Sequence, residues 1–135
     1  MVTLKPFTYP QEALAIKQLY GSVGWTNYLK DDESLERAFE QSLYLLGAFK
    51  EEELVGFIRC VGDGEHIVLI QDILVHPDLQ RQGIGRRLLK KIRDHYKHVR
   101  QFQLNTDLHD PTANQFYRDF GMRPLEEGQM IAYFR

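Results

Sequence analysis

The chain is 135 residues long, 43% hydrophobic and 27% charged, which reads as one globular domain, residues 1–135, large enough to bury a core. No apolar run approaches the ~20 residues that a bilayer crossing needs, so no membrane partner is expected. Seventeen basic against nineteen acidic residues leave a net charge of −2, which argues against nucleic acid as the main ligand, because phosphate backbones select an excess of Lys and Arg.

The first six residues lack a cationic segment followed by an apolar stretch, so no secretory signal is expected. Residues 3–8 predict a short strand, with Pro6 placing it near an edge. In residues 11–20, Leu14, Ala15, Ile16 and Leu19 recur at helical spacing, and Gly21 is a stop signal. A polar and aromatic connection follows, containing Trp25 and Tyr28. These aromatics either fold back on the core or wall a pocket. Residues 32–41 predict a second helix behind acidic first-turn residues.

Residues 43–50 and 54–61 read as a hairpin turning at Glu51, Glu52 and Glu53. Cys60, the only cysteine, falls in the second of these strands. One cysteine excludes an internal disulfide and a cysteine-based zinc cluster, so no metal is expected and a reducing, cytoplasmic setting fits. Residues 67–75 are almost continuously apolar, as in a strand covered on both faces, and Gln71 and Asp72 interrupt them. Residues 83–96 predict an amphipathic helix with Ile84, Leu88, Leu89 and Ile92 inward and a cationic outer face. A strand over 99–105 follows, then a helix from the Asp110-Pro111 start to Phe120, with Gly121 just past its end. Residues 130–134 read as a closing strand. The order β-α-α-β-β-β-α-β-α-β is α+β.

The chemistry concentrates where the buried strand ends. Val75-His76-Pro77 leads through Asp78 and Leu79 into Gln80-Arg81-Gln82-Gly83-Ile84-Gly85-Arg86 and straight into a helix. Such a turn aims backbone N–H groups and the positive helix end at one point, and Gly83 and Gly85 let a diphosphate approach. A Gly-x-Gly before a helix can equally be a plain turn. There is no Gly-Lys-Ser/Thr of a Walker loop, and Leu88 stands where a dinucleotide fingerprint needs its third glycine. What remains is Gln/Arg-x-x-Gly-x-Gly/Ala, matched by residues 80–85.

With this loop, the Val75-His76-Pro77 strand end and a late helix carrying Phe116-Tyr117 before Gly121-Met122, the chain resembles the GNAT family of N-acetyltransferases. Within it, the Gly24-Trp25 segment and Asn105-Thr106-Asp107 are similar to small-amine acetyltransferases of the serotonin acetyltransferase-like kind. The resemblance implies one acetyltransferase domain in α/β/α layers, with a mixed, mostly antiparallel sheet of about six to seven strands and about four helices. It implies acetyl-coenzyme A as co-substrate and direct transfer to an amine without an acyl-enzyme, leaving Cys60 no nucleophilic role. The pantetheine arm would pair with Ile73, Leu74 and Val75, and a backbone N–H near Leu74 would face the thioester oxygen. Gln80, Arg81, Gln82, Gly83, Ile84, Gly85, Arg86 and Asn114 would bind the cofactor, and Tyr117 would protonate the departing sulfur.

Several relatives carry a glutamate base near the end of the fifth strand, where this chain has Asn105. Asp72 is a substitute acting through water, or a hydrogen-bonded carboxylate that only fixes its strand; Asp107 and His109 are further candidates. Trp25 and Tyr28 are candidates for the acceptor wall. The expected acceptor is a small-molecule amine; a protein α-amine or Lys side chain, or a non-catalytic acyl-coenzyme A sensor, are the alternatives. A homodimer is compatible with the resemblance.

Overall fold

A computed structural model describes all 135 residues, which fall into two compact units, Met1–Leu104 and Asn105–Arg135. The first unit runs β1 (Val2–Pro6), α1 (Tyr9–Ser22), a 3₁₀ turn (Thr26–Leu29), α2 (Asp32–Glu40), β2 (Tyr44–Lys50), β3 (Glu53–Gly62), β4 (Ile67–Val75), a second 3₁₀ turn (Pro77–Leu79), α3 (Ile84–His95) and β5 (Gln101–Leu104). The second unit holds α4 (Pro111–Phe120) and a 3₁₀ turn, Leu125–Gly128. No helix is long and apolar enough to cross a membrane.

The strands form one sheet in the order β1-β2-β3-β4-β5. The first three pairings are antiparallel and β4 with β5 is parallel. Neighbouring strand residues point to opposite faces. Phe57 and Ile58 are both fully buried, so both faces are covered. Tyr9, Ile16, Leu19 and Tyr20 of α1 and Leu35 and Phe39 of α2 pack with Phe57 and Leu74 into one aromatic-rich core. The inward stripe of α3, Ile84, Leu88, Leu89 and Ile92, is buried as its spacing predicts.

Helix starts follow their local chemistry. Asp31 accepts from the backbone N–H of Glu33 and Ser34 to open α2, and Asp110 accepts from that of Ala113 to open α4. Gly121 closes α4 in the left-handed region at φ 102°. Asp63 turns the β3–β4 connection by accepting from Glu65, His66 and Ile67 N–H, which holds its carboxyl down at about 2.

Two expectations are corrected. The sheet has five strands, not six to seven, because residues 130–134 form no strand. A strand needs a neighbour for its backbone groups, and here Met130, Ile131, Tyr133 and Phe134 stay exposed.

Candidate active site

The pairing of β4 changes along its length. On one side it pairs with β3 from Val68 to Val75. On the other it pairs with β5 only from Ile67 to Ile70. A register shift opposite Arg59 and Cys60 matches Arg59 to Asp72 but Cys60 to Ile70, so Gln71 is an extra, bulged residue. Beyond that bulge no strand pairs with the outer edge of β4.

Backbone direction along this edge follows from alternation. The His76 N–H donates to the Val55 carbonyl of β3 at 2.8 Å. Two residues back, Leu74 therefore faces β3 as well, while Ile73 and Val75 turn their N–H and C=O to the open side. The resemblance implies an N–H near Leu74 facing the thioester oxygen; along this edge the outward N–H groups are those of Ile73 and Val75, on either side of Leu74. The Val75 carbonyl is taken by the Gln80 side-chain amide at 3.1 Å. Gln80 thereby folds the loop back onto the strand end.

From there the chain needs two left-handed residues, Arg81 at φ 65° and Gly83 at φ 83°. The turn starts α3 without a side-chain cap, since Gly83 occupies the cap position. A Cβ on Gly83 would project into open space. Unlike α2 and α4, α3 thus presents its positive end without a capping carboxylate. Arg81, Gln82, Gly83 and Arg86 are exposed, Gly85 is half-buried and Ile84 anchors the turn in the core. On the outer face of α3, Arg87 donates to the Val2 carbonyl at 3.1 Å and Lys90 pairs with Asp94, the solvated reading of a charged stripe.

On the α1–α2 face, immediately before the open edge, lies a buried polar cluster. Asp72 is 2% exposed and Arg59 5%, both too deep to be left unpaired. The Arg59 Nε donates to Asp72 Oδ2 at 2.7 Å. The Tyr20 hydroxyl donates to the same oxygen at 2.8 Å, and the Tyr28 hydroxyl to Oδ1 at 2.6 Å. The Gln71 side-chain amide donates to the Tyr28 oxygen at 3.1 Å. Arg59 also reaches Ser42 Oγ and lies against the Phe39 and Tyr28 rings. Burial and the Asp72 carboxylate push both tyrosine hydroxyls above their ordinary value. Tyr28 stacks on Tyr20 with centroids 4.3 Å apart, and Trp25 beside them is 40% exposed. Tyr28 is half-buried on the core, and Trp25 opens to solvent. Burial pushes the Cys60 thiol up to about 12, which keeps it protonated at neutral pH.

In the second unit, the Asn114 amide donates to the Asp107 and Asp110 carbonyls at 2.9 and 2.7 Å. It ties the loop to α4. Asp107 accepts from the His109 N–H in the same exposed loop. Tyr117 packs edge-on to Phe116, and burial, with Asp110 adding to it, pushes its phenol up to about 12.

The acetyltransferase (GNAT) family model matches residues 11–122. This chain belongs to the GNAT family. An uncharacterized N-acetyltransferase ycf52 of Gracilaria tenuistipitata var. liui is 30% identical to it over 112 residues, which are 78% of this chain and 59% of that protein. The chain thus spans about three-fifths of the length of that curated relative. Among solved structures, the GNAT family protein SP0256 from Streptococcus pneumoniae TIGR4 superposes with a TM-score of 0.84 at 35% identity, covering 100% of this chain and 97% of that one. The aminoglycoside N-acetyltransferase AAC(6')-Iy, solved in complex with CoA, shares the fold at a TM-score of 0.78 and 14% identity, covering 100% and 94%.

For this GNAT chain, sequence reasoning named Asp72 and Tyr28, noted Gln71 only as an interruption of its strand, and missed Tyr20 and Arg59, which with Gln71 complete the cluster. Tyr20 reads as an ordinary inward helix residue and Arg59 as a strand polar position. The one available signal is that Arg59 is a charge inside an otherwise apolar strand, as Asp72 is in the next one.

Proposed function

We propose that this chain transfers the acetyl group of acetyl-coenzyme A to the primary amine of a small molecule, by direct attack in a ternary complex. The observation that carries the reading is the outer edge of β4: unpaired beyond Gln71, it runs through the Gln80-clamped loop into the uncapped start of α3. An amide-bearing arm can pair with Ile73 and Val75 as an added strand does, and a diphosphate suits the N–H groups around Gly83, Ile84 and Gly85. Arg81, Gln82 and Arg86 flank that position. AAC(6')-Iy, of the same fold, holds CoA. The family match crosses the boundary between the two units, which supports one acetyltransferase domain.

In this reading the Ile73 N–H stabilises the oxyanion that forms as the amine nitrogen attacks the thioester carbonyl carbon. The new C–N bond forms and the C–S bond breaks. Tyr117, protonated at neutral pH as any phenol is, gives its proton to the departing sulfur. The amine's proton leaves to solvent, and Tyr117 takes a proton back from solvent. Trp25 and Tyr28 wall the acceptor. We assign Asp72 a positioning role: Arg59, Tyr20 and Tyr28 engage its oxygens, which removes it from direct contact with water. A free, buried Cys60 suits a cytoplasmic setting, and the exposed apolar run of Met130, Ile131, Tyr133 and Phe134 supports a homodimer, which light scattering would test.

Incubation with acetyl-coenzyme A, an amine panel and a Lys-bearing peptide, followed by mass spectrometry, tests the function. Acetylated small amines are expected. Acetylated peptide alone would mean a protein acetyltransferase, and binding without any product would mean a sensor. A folded Gly85→Val variant that kept its affinity for acetyl-coenzyme A in calorimetry would contradict the phosphate loop.

A further inference from the structure

Resting on the proposed amine acetylation, we infer that the Tyr28 hydroxyl is the specificity contact for the acceptor, receiving an N–H of a primary amine carried on an apolar body. Asp72 is the positioning residue that makes it an acceptor. A phenolic hydroxyl has one proton to donate and two lone pairs. In Tyr28 the proton is committed to Asp72 Oδ1 at 2.6 Å, a short, charge-assisted bond. One lone pair takes the Gln71 amide at 3.1 Å. What is left is one lone pair on a half-buried oxygen, which can only accept. A carboxylate arriving there finds no donor, whereas an amine N–H finds its complement.

The placement suits the reaction. Asp72 directly precedes Ile73, the first residue with an outward N–H beyond the bulge, so the Tyr28 hydroxyl is hydrogen-bonded to the neighbour of the proposed oxyanion donor. The surroundings choose the rest of the molecule. Tyr28 presents a ring stacked on Tyr20, and Trp25 lies close by with two-fifths of its surface open. Alkyl or aryl carbon fits there. The Arg59–Asp72 pair also explains why the cluster is ionic. A buried pair of this kind adds little net stability, but the fixed carboxylate orients the Tyr28 proton inward, which an apolar replacement could not do.

Kinetics with hexylamine and phenethylamine as acceptors tests this. Tyr28→Phe keeps the ring and should raise the amine KM about tenfold, the loss of one hydrogen bond. Its kcat and its acetyl-coenzyme A affinity should hold. Gln71→Leu, at an exposed position, should lower KM by freeing the second lone pair. Asp72→Asn should raise KM in the wild-type background and not further in the Tyr28→Phe background. An unchanged KM in Tyr28→Phe, with only its melting temperature lowered, would overturn the inference. So would a Gln71→Leu KM raised to the Tyr28→Phe level, which would make Gln71 the contact. If Asp72→Asn does not fold, the first two variants still decide. Wild-type protein that binds acetyl-coenzyme A but acetylates neither amine would overturn the proposed function, and this inference with it.

Discussion

Removing either charge of the Arg59–Asp72 pair should cost more stability than removing both. Arg59→Leu leaves Asp72 at 2% exposure with two hydroxyl donors and no cation; Asp72→Leu leaves Arg59 at 5% exposure with only Ser42 and two rings around it. Breaking a buried pair from one side costs about 3–5 kcal/mol. The double variant leaves no orphaned charge. Its main loss is the Tyr20 hydroxyl, fully buried and then without the Asp72 acceptor, about 1–3 kcal/mol. For a domain of this size a kilocalorie shifts the melting temperature by about 4 °C. Each single variant should therefore melt roughly 12–20 °C below wild type and the double only about 4–12 °C below. Thermal and urea unfolding followed by circular dichroism would measure the cycle. Single variants costing under about 1 kcal/mol, or a double equal to the sum of the singles, would refute the claim that these charges are buried and coupled.

Other consequences are local. A Cβ on Gly56 would sit 2.8 Å from the Leu74 carbonyl and 3.2 Å from Val75 Cα, so Gly56→Ala should push β4 from β3, lower the melting temperature and weaken acetyl-coenzyme A binding in calorimetry. Asp63 has its carboxyl held near 2, below the ordinary carboxylate value, so its contribution is complete above about pH 4 and is lost as pH falls toward 2. The melting-temperature gap between wild type and Asp63→Ala should close over that window; a gap constant from pH 6 to 2 (about the range that matters) would contradict the cap. Tyr117→Phe should lower kcat by roughly a hundredfold while leaving the fold intact, and an acetyl donor with a better leaving thiol should recover much of the rate.

What the sequence made legible was local. Helix α4 follows from Asp110, Pro111 and Gly121 because cap and stop chemistry acts within a turn, and α3 follows from the 3.6-residue recurrence of Ile84, Leu88 and Ile92. The loop at residues 80–85 carries its own pattern. Long-range pairing was hidden. Asp72 meets Tyr28 across 44 positions and Tyr20 across 52, and nothing local joins them. The bulge at Gln71 depends on the register of β3 against β4, and the outward direction of Ile73 rather than Leu74 depends on that same register. Residues 130–134 have strand composition, but composition supplies no partner strand.

The most direct measurement is amide hydrogen exchange of the full chain with and without saturating acetyl-coenzyme A. The Ile73 and Val75 amides, which face the open edge, should gain protection together with those of Gly83, Ile84 and Gly85, while Leu74, facing β3, changes little. Saturation of the protein with no protection gained at Ile73 or Val75, or with protection gained at Leu74 alone, would contradict the account.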